Sequence, residues 1–272
     1  SAAANCNDIT KVVEPVLQQN GGGIYYVNLS EDSYKLGGSS FAQVLNRIGS
    51  EAPSILNNES FKNTFNAIQE LITTGKILAG HDVASGGLIT TLLELCFADT
   101  NLGADYDLSS LNEVDSVKVL FAENSGIVFQ AIDNSVEAIL KDSNVVFHKI
   151  GSVNNSGNIS IKNNTDEFSF SVSEMRNTWY KTSYLLDQKQ TANGLAKARI
   201  ENFAKQPLQY TFPKHFTGKI PVIDASKPKP KAAILREKGS NSEREMANAM
   251  YLAGFDVKDV HMTDLISGRE TL

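Results

Sequence analysis

Ile77-Leu78-Ala79-Gly80-His81-Asp82-Val83-Ala84-Ser85-Gly86-Gly87-Leu88 is the stretch whose reading decides the fold class. Ile77–Ala79 is a short apolar run of strand type, and it leads into Gly80-His81-Asp82. Gly86-Gly87 then opens a helix expected over Leu88–Ala98, with Leu88, Leu92 and Leu95 aligned along it. A strand that turns through glycines into an apolar helix is a joint between the layers of an α/β fold.

Upstream, Ile24–Leu29 is rich in β-branched and aromatic residues and predicts a strand. Ser40 and Gln43 have capping-box spacing, and Phe41, Val44, Leu45 and Ile48 recur at helical spacing before Gly49. A second helix is expected from Ser60 to Gly75, with Phe61, Phe65, Ile68 and Ile72 on one face. Downstream, strands are expected around 117–121, 126–132, 145–153, 158–162 and 167–172, with a helix over Ser135–Lys141. Residues 20–173 therefore read as a two-layer α/β domain, and residues 1–19 as its lead-in.

After Ser173 the pattern becomes polar and helical, with Met175, Trp179, Leu185 and Leu186 as apolar anchors. Five of the seven prolines fall within 206–230, which makes 174–230 a helical and Pro-rich connector. From Lys231 the rhythm changes again. Ala232–Leu235 is strand-like, Ser242 and Glu245 form a second capping box, Met246, Ala249, Met250 and Ala253 line a helix, and Phe255–Val260 is the next strand. Strand, helix and strand in 30 residues open a parallel-sheet domain, here a short start over 231–272.

Composition narrows the function. The chain has 272 residues, 41% hydrophobic and 21% charged, with a formal net charge of −6. Nucleic-acid binding calls for a basic face, and the Lys227–Lys231 stretch, interrupted by Pro228 and Pro230, reads as a solvated linker. No run approaches the ~18 apolar residues of a membrane helix. Ser1–Ala4 lacks the charged and apolar regions of a signal peptide. Two distant cysteines, Cys6 and Cys96, form neither a disulfide framework nor a metal motif, which favours a reducing, cytoplasmic compartment.

The chemistry centres on Asp82. Glycines let a backbone approach a ligand, helix N-terminal amides suit phosphate, and a nearby carboxylate suits the Mg²⁺ that phosphates also bind. The plainer alternative makes Asp82 a helix cap and Gly86-Gly87 a steric relief. Glu123, before the 126–132 strand, reads either as a third member of the same pocket or as a solvated loop acid. His81 reads either as a base or metal ligand, or as a structural hydrogen-bonder.

Several segments together resemble one family. They are Lys35–Gln43 with Asn46, His81–Leu88, Glu94–Ala98, Leu120–Gly126, Leu235–Ser242, Ala253–Phe255 and Asp259–Met262. Their order and spacing are similar to phosphoribosylformylglycinamidine synthases, from the C-terminal domain of the second synthetase-like unit into the start of the glutaminase domain. The resemblance implies an α/β domain of the aminoimidazole-ribonucleotide-synthetase C-terminal type, followed by the start of a flavodoxin-like class I glutaminase. It implies an ATP-dependent ligase that uses formylglycinamide ribonucleotide and glutamine, with Mg²⁺ and ATP/ADP as cofactors and the other domains of a longer chain as partners. It assigns Mg²⁺ to Asp82 and nucleotide contact to Ala84, Ser85, Gly86 and Gly87. Ala84 stands where the family pattern has Ser, and Ser85 where many members have Asp. No glutaminase Cys, His or Glu of the family pattern falls within these residues, so the 272 residues alone are expected to be inactive. The competing readings are another synthetase-like superfamily member and a non-enzymatic scaffold or binding module.

Overall fold

The computed structural model describes Cys6, residues 8–203, Lys205, residues 211–219, Val222, Asp224 and residues 226–272. Residues 1–5 and 206–210, expected as parts of the lead-in and connector, lie outside the described residues. The chain divides into two compact units, one of residues 11–211 and one of residues 1–10 with 212–272.

In the larger unit the elements run β1 (Ile24–Asn28), α1 (Ser40–Val44), α2 (Asn58–Thr73), β2 (Ile77–Val83), α3 (Gly87–Glu94), β3 (Gly103–Asp107), α4 (Ser116–Phe121), β4 (Gly126–Ala131), α5 (Val136–Asp142), β5 (His148–Asn154), β6 (Asn158–Asn163), β7 (Asp166–Ser171), α6 (Val172–Gln190) and α7 (Leu195–Asn202). The strands form one sheet in the order β2-β4-β1-β5-β3-β6-β7. All neighbours are antiparallel except β3 and β6, which run parallel.

Strand β1 shows how the sheet gathers its helices. Side chains alternate across a strand, and Ile24 and Tyr26 enter one apolar cluster with Leu88, Leu92 and Val119, from α3 and α4. Tyr25 and Val27 enter a second cluster with Ile68, Leu71, Val136 and Leu140, from α2 and α5. The fold is α/β as expected, and helices cover both faces of the sheet at this point. Each fully buried aromatic or branched side chain contributes roughly 2–3 kcal/mol of transfer free energy, so the interior strands β1 and β4 form a stable centre. Gln130 is the polar exception there. Wholly buried on β4, it accepts from Gln18 N at 2.7 Å and donates to Gln18 O at 2.8 Å, which fixes the lead-in chain to the sheet.

Several expectations are corrected. Residues 117–121 are helical rather than extended, because Asp115 caps α4 by accepting from the amides of Val117 and Lys118. The alternating valines mimic a strand, and the cap decides between the two. Helix α1 stops at Val44, and Asn46 follows at φ 53. Its expected apolar residues Val44, Leu45 and Ile48 are exposed. Its cap is Ser39, not Ser40, since Ser39 accepts from Ala42 N. Asn57 rather than Ser60 caps α2, whose buried side is Thr64, Ala67, Ile68 and Leu71, leaving Phe65 exposed. In α6, Trp179, Leu185 and Leu186 are exposed, whereas Val172 and Arg176 are buried. Strand β3 has weak strand-forming composition and is made by its neighbours. A side chain at Gly103 would lie 2.0 Å from Asn158 O, and one at Gly151 would lie 2.2 Å from Asp105 O.

The smaller unit holds β8 (Lys231–Arg236), α8 (Glu243–Leu252), β9 (Asp256–His261) and α9 (Met262–Ile266). Strands β8 and β9 are parallel and in register from Lys231↔Asp256 to Arg236↔His261, as the strand–helix–strand rhythm predicts. Ser242 precedes α8 in the left-handed region, φ 69, and makes no side-chain cap, so the expected second capping box does not form. No helix of the described residues is long and apolar enough to cross a membrane.

Candidate functional site

Asp82 is the penultimate residue of β2, paired across the sheet with Ile127 of β4. Its side chain is 75% exposed, with Oδ1 3.2 Å from His81 Nδ1. The His81 ring also places Nδ1 2.8 Å from Asp82 O and Nε2 2.9 Å from Glu94 Oε2. The Thr91 hydroxyl donates to Asp82 O at 2.9 Å. Two α3 side chains, Thr91 and Glu94, thus hold the exit of β2. His81 acts as a hydrogen-bonded link between strand and helix.

The turn that follows depends on its glycines. Gly86 has φ 93 and Gly87 φ 75, in the left-handed region that side chains avoid. A Cβ on Gly87 would lie 2.7 Å from Leu120 O and 2.8 Å from Phe121 Cα. Only glycine lets α3 begin this close to the end of α4. Asp82 does not cap α3. The cap position is Gly86, without a side-chain bond, so the plainer reading holds for the glycines but not for the aspartate.

The amides expected to meet a phosphate already have acceptors. Gly86 N donates to Glu123 Oε1 at 2.8 Å, and Gly87 N to Ala84 O at 3.0 Å. The same Glu123 Oε1 accepts from Ser40 N at 2.8 Å. Glu123 is not a free loop acid, because one of its oxygens joins the starts of α1 and α3. Ala84 and Ser85 remain exposed beside Asp82.

Behind this junction Asn124 is buried, its Nδ2 donating to Ser30 Oγ at 2.9 Å and to Asp32 O at 3.1 Å. Asp32 in turn accepts from Lys35 Nζ at 2.8 Å and from Ser54 N at 2.9 Å. The Lys35 hydrogen bond, and then the Ser54 amide, hold its carboxyl below the usual aspartate range.

Among the described residues no group of three or more His, Cys, Asp or Glu side chains is arranged to hold a metal ion. Asp82 offers a single exposed carboxylate, which fits Mg²⁺ only where phosphate and water supply the other ligands. Sequence reasoning missed Arg176. It falls in a polar helical stretch, and the one sign of its burial is Tyr180 four residues on, one turn along the same helix face.

Residues 22–163 match the model of the AIR synthase related protein, C-terminal domain, and residues 229–272 match the CobB/CobQ-like glutamine amidotransferase domain. Among curated relatives, a probable chloroplastic/mitochondrial phosphoribosylformylglycinamidine synthase of Arabidopsis thaliana is 35% identical, over 100% of this chain and 20% of that protein. The phosphoribosylformylglycinamidine synthase of Homo sapiens is 36% identical, over 98% of this chain and 21% of that protein. The chain thus spans about one fifth of the length of these relatives. Among solved structures, T. maritima PurL complexed with FGAR aligns over 61% of this chain and 30% of that one, with TM-score 0.48 and 17% identity, a likeness too weak to bear on function. The family match covers more than half of the chain and takes in six strands of the seven-stranded sheet, β1 to β6, and the chain belongs to the AIR synthase related protein, C-terminal domain, family.

Proposed function

We propose that this chain is part of an ATP-dependent ligase of the phosphoribosylformylglycinamidine synthase type. That reaction takes formylglycinamide ribonucleotide, ATP and glutamine to formylglycinamidine ribonucleotide, ADP, phosphate and glutamate. One observation carries the reading: a synthetase-related domain over 22–163 is followed by a glutamine amidotransferase start at 229–272, within one chain 35–36% identical to relatives of that name. On this reading residues 20–173 are the synthetase-like domain, 174–230 the connector and 231–272 the beginning of the amidotransferase domain.

Asp82 is the group that would hold Mg²⁺, with Ala84 and Ser85 beside the nucleotide and Gly86-Gly87 shaping the turn. Mg²⁺ would supply charge neutralisation on phosphate oxygens. This chain's own part is to present one exposed carboxylate at a fixed place. The Thr91 and Glu94 contacts from α3 support that role, because they hold β2 where it ends. The Gly86 amide, bonded to Glu123, supports a positioning role for the glycines over direct phosphate contact. A cytoplasmic setting fits two cysteines without disulfide spacing. We further propose that these 272 residues alone hydrolyse no glutamine, and ammonia release by the purified chain would contradict that.

The test is calorimetric titration of MgADP into the chain, with Asp82→Ala alongside. Saturable binding by the wild type that is lost in the variant is the expected result. Equal binding by both would remove Asp82 from the site, and no binding by the wild type would remove a self-sufficient nucleotide site from these residues.

A further inference from the structure

A cavity of about 590 Å³ is lined in part by His81, and Asp82 does not line it. Its volume is that of an ordinary small-ligand site. The walls include His81, Glu94, Phe97, Arg176, Trp179 and Tyr180.

Arg176 is the unusual member. It is 8% exposed, pairs with no carboxylate among the described residues, and its Nη1 is buried without a hydrogen-bond partner. A buried charge is costly unless paired. The one acid in the same cavity, Glu94, is held by His81 at 2.9 Å. The guanidinium carbon lies 5.2 Å from the centroid of the Tyr180 ring and 3.0 Å from that of Phe203. Those contacts stabilise the cation without satisfying its N–H donors. The N–H donors lie in the guanidinium plane, at its edge, where an oxyanion binds best. Burial lowers the Arg176 pKa from its ordinary value, as expected for a cation lacking its counter-ion. Beside it Trp179 is 55% exposed, an apolar ring left open to the cavity, and it packs against Phe97 with centroids 5.7 Å apart.

We propose that this cavity binds a small organic anion, with its carboxylate or phosphate at the edge of Arg176 and a flat apolar body against Trp179 and Phe97. The inference is independent of the nucleotide reading, since it uses neither Asp82 nor the glycine turn.

Trp179 is the only tryptophan of the chain, so intrinsic tryptophan fluorescence reports on this cavity alone. Benzoate and phenyl phosphate serve as anionic probes and benzamide as the neutral control, each titrated to about 10 mM, where even millimolar affinity saturates. A saturable change is expected for at least one anion, with benzamide binding about tenfold more weakly, the scale of a charge-assisted hydrogen bond. Which anion binds more tightly identifies the head group. Arg176→Gln is expected to weaken the anion about tenfold and leave benzamide unmoved. No saturable change with either anion, or equal binding of benzamide, overturns the proposal. That wild-type comparison decides the matter even if Arg176→Gln does not fold.

Discussion

The Glu123 carboxylate accepts the amide of Gly86 at 2.8 Å, and through the same oxygen it reaches across to the start of α1. A residue from the loop before β4 therefore sets the spacing of two glycine-rich turns. Glu123→Ala leaves two amides without their acceptor and is expected to cost roughly 2 kcal/mol. Glu123→Gln, which keeps an oxygen there, should recover part of that. Urea unfolding midpoints of the three proteins measure it, and an alanine variant as stable as wild type would show that the contact contributes nothing.

Two glycines with similar backbone angles should respond differently to alanine. Gly38, at φ 76, has no atom within 4 Å of the place a methyl group would take, so Gly38→Ala meets only the left-handed backbone penalty of about 1 kcal/mol. Gly87, at φ 75, would also drive its methyl to 2.7 Å from Leu120 O. Gly87→Ala is expected to lose at least about 2 kcal/mol more. Thermal melts of the pair test this, and similar shifts would mean that the α3–α4 contact is loose.

Asp32 predicts a pH dependence. Its carboxyl is lowered in the fold, chiefly by Lys35, so it binds protons less readily folded than unfolded. The stability it contributes is present above the unfolded value near 4 and is lost as pH falls through the lower folded value. Asp32→Asn should therefore be less stable than wild type at neutral pH, with the difference shrinking below about pH 4. A gap that stays constant on acidification would mean that the charge of Asp32 is not the source.

The two thiols should separate by rate. Cys6 is exposed, whereas Cys96 is buried and its thiol is pushed up to about 12 by burial. Ellman's reagent at neutral pH is expected to modify one thiol at once and the second only on unfolding. Rapid reaction of both would show that the α3 core opens readily.

Much of both units is legible in the amino-acid order alone. The β-branched Ile24–Val27 run, the apolar spacing of α3 and the strand–helix–strand rhythm after Lys231 each carry a period that a single chain displays. The misreadings fall where periodicity and local chemistry disagree. At 117–121 the valines alternate, but the Asp115 cap supplies the helix start. At α1 the apolar spacing continues past Val44, but Asn46 adopts a left-handed conformation and ends the turn. Trp179 reads as a core anchor by size and is exposed, while the charged Arg176, one helical turn before it, is buried.

The sequence by itself determined the class of fold and the position of the glycine turn after Asp82, because these depend on local spacing and on glycine's unique backbone freedom. Only the tertiary structure decided that Glu123 occupies the Gly86 amide, that His81 bridges to Glu94, and that Arg176 lies buried against two rings. Those contacts join residues well separated along the chain or bury a charge, and no local period encodes which distant acceptor or ring will come within reach of a given side chain.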